Sequence, residues 1–232
     1  MSRIAIIPAR GGSKRIPRKN IKLFLGKPII AYSIESALAS NLFDEVMVST
    51  DDEEIASIAK EYGARVPFYR STESATDYAT TVDVLLEVLS QYSSQGKHFD
   101  FGCCVYPSAP FSSQELLLQG YNKLIDEAHD FVFPAQAYGH PIQRSFSINP
   151  NNDNRVELFS KSEEFTRTQD LKTYYHDAGQ FYWFNSQSLL INKSLMKGKI
   201  GILKVSPFEA HDIDEPLDWK MAEFKYKLLK QL

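Results

Sequence analysis

Residues 3–20 read RIAIIPARGGSKRIPRKN. The first six, Arg3-Ile-Ala-Ile-Ile-Pro8, make a short apolar run of the kind a strand buried on both faces needs. A long loop rich in Gly, Pro and Lys follows, and residues 28–40 then place Ile30, Ile34, Ala37 and Leu38 on one helical face. The alternation continues outward from there. EVMVST at 45–50 reads as a strand, and 52–62 as a helix opened by acids and stopped by Gly63. A short strand is expected around Val66, and Val82, Leu85, Leu86 and Leu89 mark another helix. The strand at 101–106 leads into a helix from Ser112. Strands are expected at 130–137, 181–184 and 200–205, and Pro216 opens a closing helix on which Leu217, Met221, Phe224 and Leu228 share one face. Alternating strand and helix predicts an α/β fold with a mostly parallel sheet between helices.

One region breaks the alternation. Residues 138–177 are polar, aromatic and irregular, with an Asn-Pro-Asn-Asn-Asp turn cluster at 149–153, and read as an excursion from the main body. The chain shows neither an internal repeat nor a low-complexity tract.

The 232 residues suit one domain with such an excursion. Hydrophobic residues at 43% and charged residues at 24% match ordinary globular chains and indicate neither disorder nor a membrane span. The expected location is cytoplasmic, because the run at 4–9 is too short for a signal segment. Cys103 and Cys104 are adjacent on a strand and point to opposite faces, so they read as core residues rather than as a disulfide, a zinc site or nucleophiles. The net charge of −3 hides an asymmetry: residues 1–34 hold eight Lys or Arg and no acid. A nucleic-acid arm or a solvated basic face would also concentrate cations. Here, however, the charges sit between a buried strand and a helix, which favours a fixed anion site.

Within that patch, Gly11 and Gly12 let backbone amides approach phosphate oxygens around Ser13. Arg10, Lys14, Arg18 and Lys19 can supply charge-assisted hydrogen bonds. The loop follows a strand's carboxyl end, where α/β sheets bind nucleotides. It is neither a Gly-x-x-x-x-Gly-Lys-Ser/Thr loop nor Gly-x-Gly-x-x-Gly, which disfavours an ATPase or a dinucleotide dehydrogenase. Near the other end, His211-Asp-Ile-Asp214 puts two carboxylates on one side of an extended segment. Hard oxygen ligands at that spacing suit Mg²⁺, which would complete its shell with water and substrate phosphate. Asp214 would equally serve as N-cap of the last helix, and both roles are compatible. Arg70, Glu73, Asp77, Thr80 and Thr81 precede a helix and could cap it or reach a ribose and phosphate. His98 and His129 read as surface residues.

With these segments in view, the chain resembles the acylneuraminate cytidylyltransferases, the CMP-sialic acid synthetase family. IPARGGSKRIPRKN at 7–20, VSTDDEEIA at 48–56, the stretch 70–81 and DIDEPLDW at 212–219 follow the family's order nearly end to end. The resemblance implies a Rossmann-like nucleotidyltransferase fold, one cytidylyltransferase domain over 1–232, with a protruding dimerisation segment within 138–180. It implies that Arg10, Lys19 and Asn20 hold CTP phosphates or ribose, that Arg70 and Thr81 contact the nucleotide, and that Asp212 and Asp214 bind Mg²⁺. The reaction it implies is attack by a nine-carbon acidic sugar's anomeric hydroxyl on the α-phosphorus. Lys19 and the metal would stabilise the developing charge, and Arg10 and Lys14 the pyrophosphate.

The chain departs from the sialate pattern around the sugar. Val-Tyr-Pro-Ser-Ala-Pro at 105–110 carries Tyr106 where relatives that take sialate have Gln, and Asp177-Ala-Gly-Gln-Phe-Tyr-Trp183 replaces Asn-Gly-Ala-Ile-Tyr. Together with Pro141-Ile-Gln-Arg144 and 166–170, these differences look like the branch that takes pseudaminic acid. Tyr106, Phe181 and Tyr182 would then offer aromatic surface to the sugar, Arg144 or Arg167 would meet its carboxylate, and Gln143 and Gln180 its acetamido groups. N-acetylneuraminate and legionaminate are alternative sugars, and a non-catalytic nucleotide-binding protein an alternative of another class. The expected partners are CTP, the acidic sugar and a second copy of the chain, with neither nucleic acid nor membrane.

Overall fold

The computed structural model describes residues 1–149 and 155–231, so the expected turn cluster at 149–153 falls, from residue 150, outside the described residues. Strand β1 (Arg3–Pro8) is central, and Ile4, Ala5, Ile6 and Ile7 are fully buried. It pairs in parallel with β2 (Glu45–Ser49) on one side and with β3 (Phe101–Val105) on the other. Four more strands complete the sheet: β4 (Phe131–Ala137), β5 (Tyr175–Asp177), β6 (Phe181–Asn185) and β7 (Ile200–Val205). The order is β7-β4-β6-β3-β1-β2, with β5 on the edge of β4.

Two strands oppose the rest. β6 lies antiparallel to both β3 and β4, and β5 is antiparallel to β4, so the sheet is mostly parallel, as alternation predicted, with these two reversals. The excursion explains the reversal. It leaves from the carboxyl end of β4 and returns there, so the strands that follow must run back down the sheet. The returning chain rejoins the sheet at Tyr175, before residue 180.

Helices cover both faces. α1 (Ile29–Ala39), α2 (Glu53–Glu61) and α4 (Gln114–Asp126) pack Ile30, Ile34, Ile55, Leu117 and Leu124 against Ala5, Ile7, Cys103, Phe181 and Trp183. α3 (Thr81–Ser94) and α5 (Ser186–Asn192) pack Leu85, Val88 and Leu189 against Ile4, Ile6, Cys104, Tyr182 and Phe184. Cys103 and Cys104 therefore enter opposite layers, as strand alternation requires, and burial pushes both thiols up. Burying one such Ile side chain stabilises the fold by roughly 1.5–3 kcal/mol.

The closing helix α6 (Pro216–Lys230) opens at Pro216 as expected, but its aliphatic face is not the one that docks. Its buried residues are Trp219 and Ala222, which join Ile16, Phe24, Ile29 and Ile213 in a third cluster, while Leu217, Met221, Phe224 and Leu228 are exposed. Trp219 and Tyr226 meet Phe24 edge-on, and this aromatic contact, not the aliphatic stripe, docks the helix. Near Val66 there is no strand among the described residues, only a parallel bridge between Met47 and Arg65. Helix α5 and β5 had no separate signal in the sequence. No helix among the described residues is long and apolar enough to cross a membrane.

Candidate active site

β1 connects through α1 to β2 on one side and has β3 on the other, so the crevice beyond its carboxyl end is a topological switch point. A cavity of about 400 Å³ opens there. Arg10, Lys14, Arg15 and Lys19 line it with Asp214, and Pro8, Ser13, Asn20 and Tyr106–Ser108 complete the wall. A second cavity of about 200 Å³ shares Pro8, Arg10 and Tyr106 and extends to Arg70, Asp77 and Thr81.

The loop is held from beneath. Asn20 is buried and its amide donates to the Arg10 carbonyl (3.0 Å), closing residues 10–20 into a ring. The Gly11 amide donates to Asp51 (3.0 Å) and the Ser13 amide to the Gly11 carbonyl (3.1 Å), so both donors are already engaged within the protein. A Cβ on Gly11 would lie 2.7 Å from an Asp52 oxygen, whereas one on Gly12 would meet nothing within 4 Å. Gly11 is thus required by the approach of α2, and the space beside Gly12 is open.

The five basic residues of the loop separate into three environments. Lys19 Nζ donates to the Ile213 carbonyl (2.7 Å) and sits 3.8 Å from Asp214, while Arg15 donates to Asp214 (2.8 Å). Burial lowers the Lys19 pKa, and the charges of Asp214 and Asp212 oppose that shift. Lys14 and Arg10 both bond Asp77, the latter at 2.5 Å, and these hydrogen bonds hold the Asp77 carboxyl below the ordinary range. Arg18 takes a left-handed backbone (φ 55°) and turns away to Asp52 and Glu54, so it is not among the cavity cations. Arg15 takes the place in the cavity expected for Arg18. The run Ser-Lys-Arg-Ile-Pro-Arg-Lys carries no signal that separates the two.

Asp214 lines the far wall and Asp212 lies outside the cavity lining; Ile213 between them is buried while both carboxylates point outward, as an i, i+2 pair on an extended segment should. Although Asp212 is exposed on one side, the protein packed on its other side, and then the charge of Asp214, push its carboxyl up. The N-cap of α6 is Glu215, not Asp214, and the Asp218 side chain accepts from the amides of Asp214 and Glu215 (3.0 and 2.8 Å). Both carboxylates are therefore free of capping. No side chain hydrogen-bonds Asp212 among the described residues, and no third carboxylate, imidazole or thiol joins the pair closely enough to hold a metal. Two oxygen donors at mutual cost fit an ion that keeps waters and phosphate oxygens, as Mg²⁺ does. They do not fit a closed protein cage.

Arg70 is buried and commits Nε and Nη2 to Ser49 at the end of β2 (3.1 and 2.7 Å), bringing its guanidinium to the second cavity. Thr80 caps α3 in a reciprocal box with Asp83, which leaves the Thr81 hydroxyl to Tyr106 (3.3 Å). Tyr106 is tilted against Tyr182, whose hydroxyl donates to Asp177.

The residues expected around the sugar do not all converge. Phe181 has no exposed surface and packs with Trp183 on the opposite face of the sheet from Tyr182, so it is core rather than pocket wall. Gln180 donates to the Glu209 carbonyl and Gln143 to the Lys172 carbonyl (2.9 Å), and both are buried with their side-chain oxygens unpaired. Arg144 donates to the carbonyls of Glu164 and Thr166, and Arg167 to Asp170 (2.7 Å). None of these four lines either cavity.

A cationic crevice at the switch point of a mostly parallel sheet, with Asp214 on its far wall, defines a nucleotidyltransferase of the Rossmann-like class. The fold is shared with a CMP:2-keto-3-deoxy-manno-octonic acid synthetase complexed with CTP, at TM-score 0.71 and 19% identity, with 100% of both chains covered. The chain belongs to the cytidylyltransferase family, whose model matches residues 4–232. It is 43% identical over 228 residues to the pseudaminic acid cytidylyltransferase of Campylobacter jejuni, covering 98% of this chain and 97% of that protein. It is 34% identical to the CMP-N,N'-diacetyllegionaminic acid synthase of Legionella pneumophila, covering 95% and 94%.

Proposed function

We propose that this chain joins CMP from CTP to a nine-carbon acidic sugar, pseudaminic acid, with Mg²⁺ and with release of pyrophosphate. The observation that carries the reading is the cavity in which Arg10, Lys14, Arg15 and Lys19 face Asp214. Its charge suits a triphosphate, and its place beyond β1 suits a nucleotide. The sugar's anomeric hydroxyl oxygen bonds the α-phosphorus and gives its proton to solvent as the α–β bridging P–O bond breaks, and pyrophosphate departs with the electron pair. Lys19, fixed by the Ile213 carbonyl, stands ready for charge that grows on the phosphoryl oxygens, and Arg10 and Lys14 for charge on the leaving group. Asp212 and Asp214 would hold Mg²⁺, which supplies Lewis-acid stabilisation of phosphate oxygens when bound. Asn20 positions Arg10 through its carbonyl, and Arg70 and Thr81 serve the nucleoside side of the second cavity. A reaction that consumes CTP belongs in the cytoplasm.

The choice of sugar rests on Tyr106, which presents an aromatic wall common to both cavities. N-acetylneuraminate ends in a glycerol tail of hydroxyls, whereas pseudaminate carries an acetamido group at carbon 7 and a methyl at carbon 9. A sialate hydroxyl left without a partner against Tyr106 costs roughly 1–3 kcal/mol, about 10-fold to 100-fold in kcat/KM. Arg144 or Arg167 would reach a sugar carboxylate only by leaving the partners described above. Residues 138–180 serve as the surface of a two-fold dimer in this reading. In the hairpin of Phe146–Asn149 and Arg155–Leu158, Phe146 opposes Leu158 and Ile148 opposes Val156, and all four side chains are exposed. The deciding assay is pyrophosphate release with pseudaminate, legionaminate, N-acetylneuraminate and 3-deoxy-manno-octulosonate at equal CTP and Mg²⁺. Pseudaminate should lead by at least about tenfold. A lead for another acid overturns the sugar, and turnover with none overturns the enzyme.

A further inference from the structure

Asp77 has no structural duty that accounts for its position. It caps no helix, because Thr80 and Asp83 perform that task for α3. Its hydrogen-bond partners among the described residues are Arg10 and Lys14, two of the cations of the phosphate cavity. The loop that bears it is fastened at its ends only: Ser71 donates to Glu87 through its amide (2.9 Å) and its hydroxyl (3.1 Å), and Thr80 caps α3. Near its start the Ser74 side chain also bonds Glu87, while beyond it the hydrogen bonds of Ala75 and Thr76 stay within the loop, and Tyr78 is 94% exposed. Asp77 ties the later part of the loop to Arg10 and Lys14 across the cavity.

We propose that Asp77 is an internal competitor for the phosphate-binding cations, surrendering Arg10 and Lys14 to CTP and reclaiming them as pyrophosphate leaves. This rests on the assignment of those two residues to the CTP phosphates. A carboxylate carries one negative charge and meets each cation through one oxygen. A triphosphate carries more charge and more acceptors and displaces it, whereas a ligand with less phosphate gains less from the exchange. The same competition works on the way out. Pyrophosphate, no longer tethered to a nucleoside, faces a carboxylate that stays attached to the protein at high effective concentration. Asp77 thereby weakens retention of pyrophosphate and limits product inhibition, at the cost of a higher KM for CTP. It acts through Arg10 and Lys14, so it is a positioning residue that need not touch the reacting atoms.

The test follows CMP-sugar formation by the full chain with and without added inorganic pyrophosphate, comparing wild type with Asp77→Asn, Asp77→Glu, Glu73→Gln, Arg10→Ala and Lys14→Ala. Asp77→Asn should lower both the inhibition constant of pyrophosphate and the KM for CTP by about 3- to 10-fold, the scale of losing exposed ion pairs. Asp77→Glu should restore part of the difference. Glu73→Gln removes an exposed carboxylate from the same loop that bonds its neighbour Thr72, and should change neither constant beyond about 1.5-fold. An unchanged or raised pyrophosphate constant in Asp77→Asn, or an equal drop in Glu73→Gln, overturns the competitor. If Arg10→Ala and Lys14→Ala leave pyrophosphate inhibition unaltered, the phosphate assignment itself has failed. If they weaken it while Asp77→Asn does not strengthen it, the assignment stands and the competitor alone is wrong.

Discussion

The loop after β1 and the excursion at 138–174 are both irregular and polar in sequence, yet they are built on opposite plans. In the loop, polar side chains converge. Asn20 ties the chain to itself, Lys19 reaches the Ile213 carbonyl, and Arg15 and Lys19 meet Asp214 across 199 and 195 positions of sequence. In the excursion, Arg144, Gln143 and Arg167 bond groups of the excursion itself, while Phe146, Ile148, Val156 and Phe165 face outward. The difference teaches that an irregular segment becomes a site when rigid elements fix both of its ends and its partners come from elsewhere in the chain. A segment whose polar groups satisfy one another exports its apolar surface instead.

The sharpest way to break this comparison is to remove a convergent cation. Lys19→Ala or Arg10→Ala should reduce turnover at saturating CTP by roughly 10² to 10³-fold with the fold intact, the usual loss for a preorganised transition-state donor. Near-normal kcat in both variants would place the chemistry elsewhere. Next in size is the carboxylate pair. Chelation should abolish activity, and Asp212→Asn or Asp214→Asn should lower the rate by about 10-fold or more and raise the Mg²⁺ needed for half-maximal rate. Full activity of either variant at low Mg²⁺ would remove that residue from the metal site.

The excursion yields a smaller and different effect. Ile148→Glu combined with Val156→Glu places charge on the exposed hairpin face, and should convert a dimer to a monomer in light scattering while thermal stability of the monomer changes little. A wild-type chain that is already monomeric at assay concentration would dispose of the dimer without touching the nucleotide site.

The two regions also differ in how far the sequence discloses them. The loop and β1 were legible because their signals are local: an apolar run of strand length, glycines, and cations at fixed spacing. The Asp212 and Asp214 pair was legible as two carboxylates on one side of an extended segment, but its freedom from capping was not, because only the observed position of Asp218 shows where α6 begins. Periodicity misled on α6, where it reported a face through Leu217, Met221, Phe224 and Leu228 without reporting what lies opposite; Trp219 and Ala222 meet the core instead. The direction of β6 was invisible because Phe-Tyr-Trp-Phe is equally apolar read either way. Phe181 shows the same limit: alternation places it opposite Tyr182 but cannot tell which face borders a cavity. Long-range pairings such as Asp77 with Arg10 and Lys14 have no sequence signal at all.

The smallest predicted effect separates scaffold from site within the loop itself. Arg18 is one residue from Lys19 and carries the same charge, but it bonds Asp52 and Glu54 at the start of α2. Asp52 in turn caps that helix by accepting from the Ile55 amide (3.0 Å). Losing the cap and the pair together in Asp52→Ala should cost about 1–2 kcal/mol, or about 3–6 °C in Tm for a chain of this size. Asp52→Asn keeps a capping oxygen and isolates the ion pair, which is partly exposed and worth less, under about 1 kcal/mol. The pH dependence has a definite sign. The Arg18 hydrogen bond lowers the Asp52 pKa in the folded protein, so the unfolded chain binds its proton first as pH falls. The stability from this pair is therefore complete above the ordinary aspartate value, near about 4, and is lost as pH drops through the lower folded value. The Tm gap between wild type and Asp52→Asn should accordingly be present at pH 7 and close in acid. Arg18→Ala should lower Tm in the same way and leave the KM for CTP within about 3-fold, because screened surface ion pairs contribute little to a distant ligand. A KM that rises tenfold with Tm unchanged would return Arg18 to the phosphate site and erase the division between the loop's two faces.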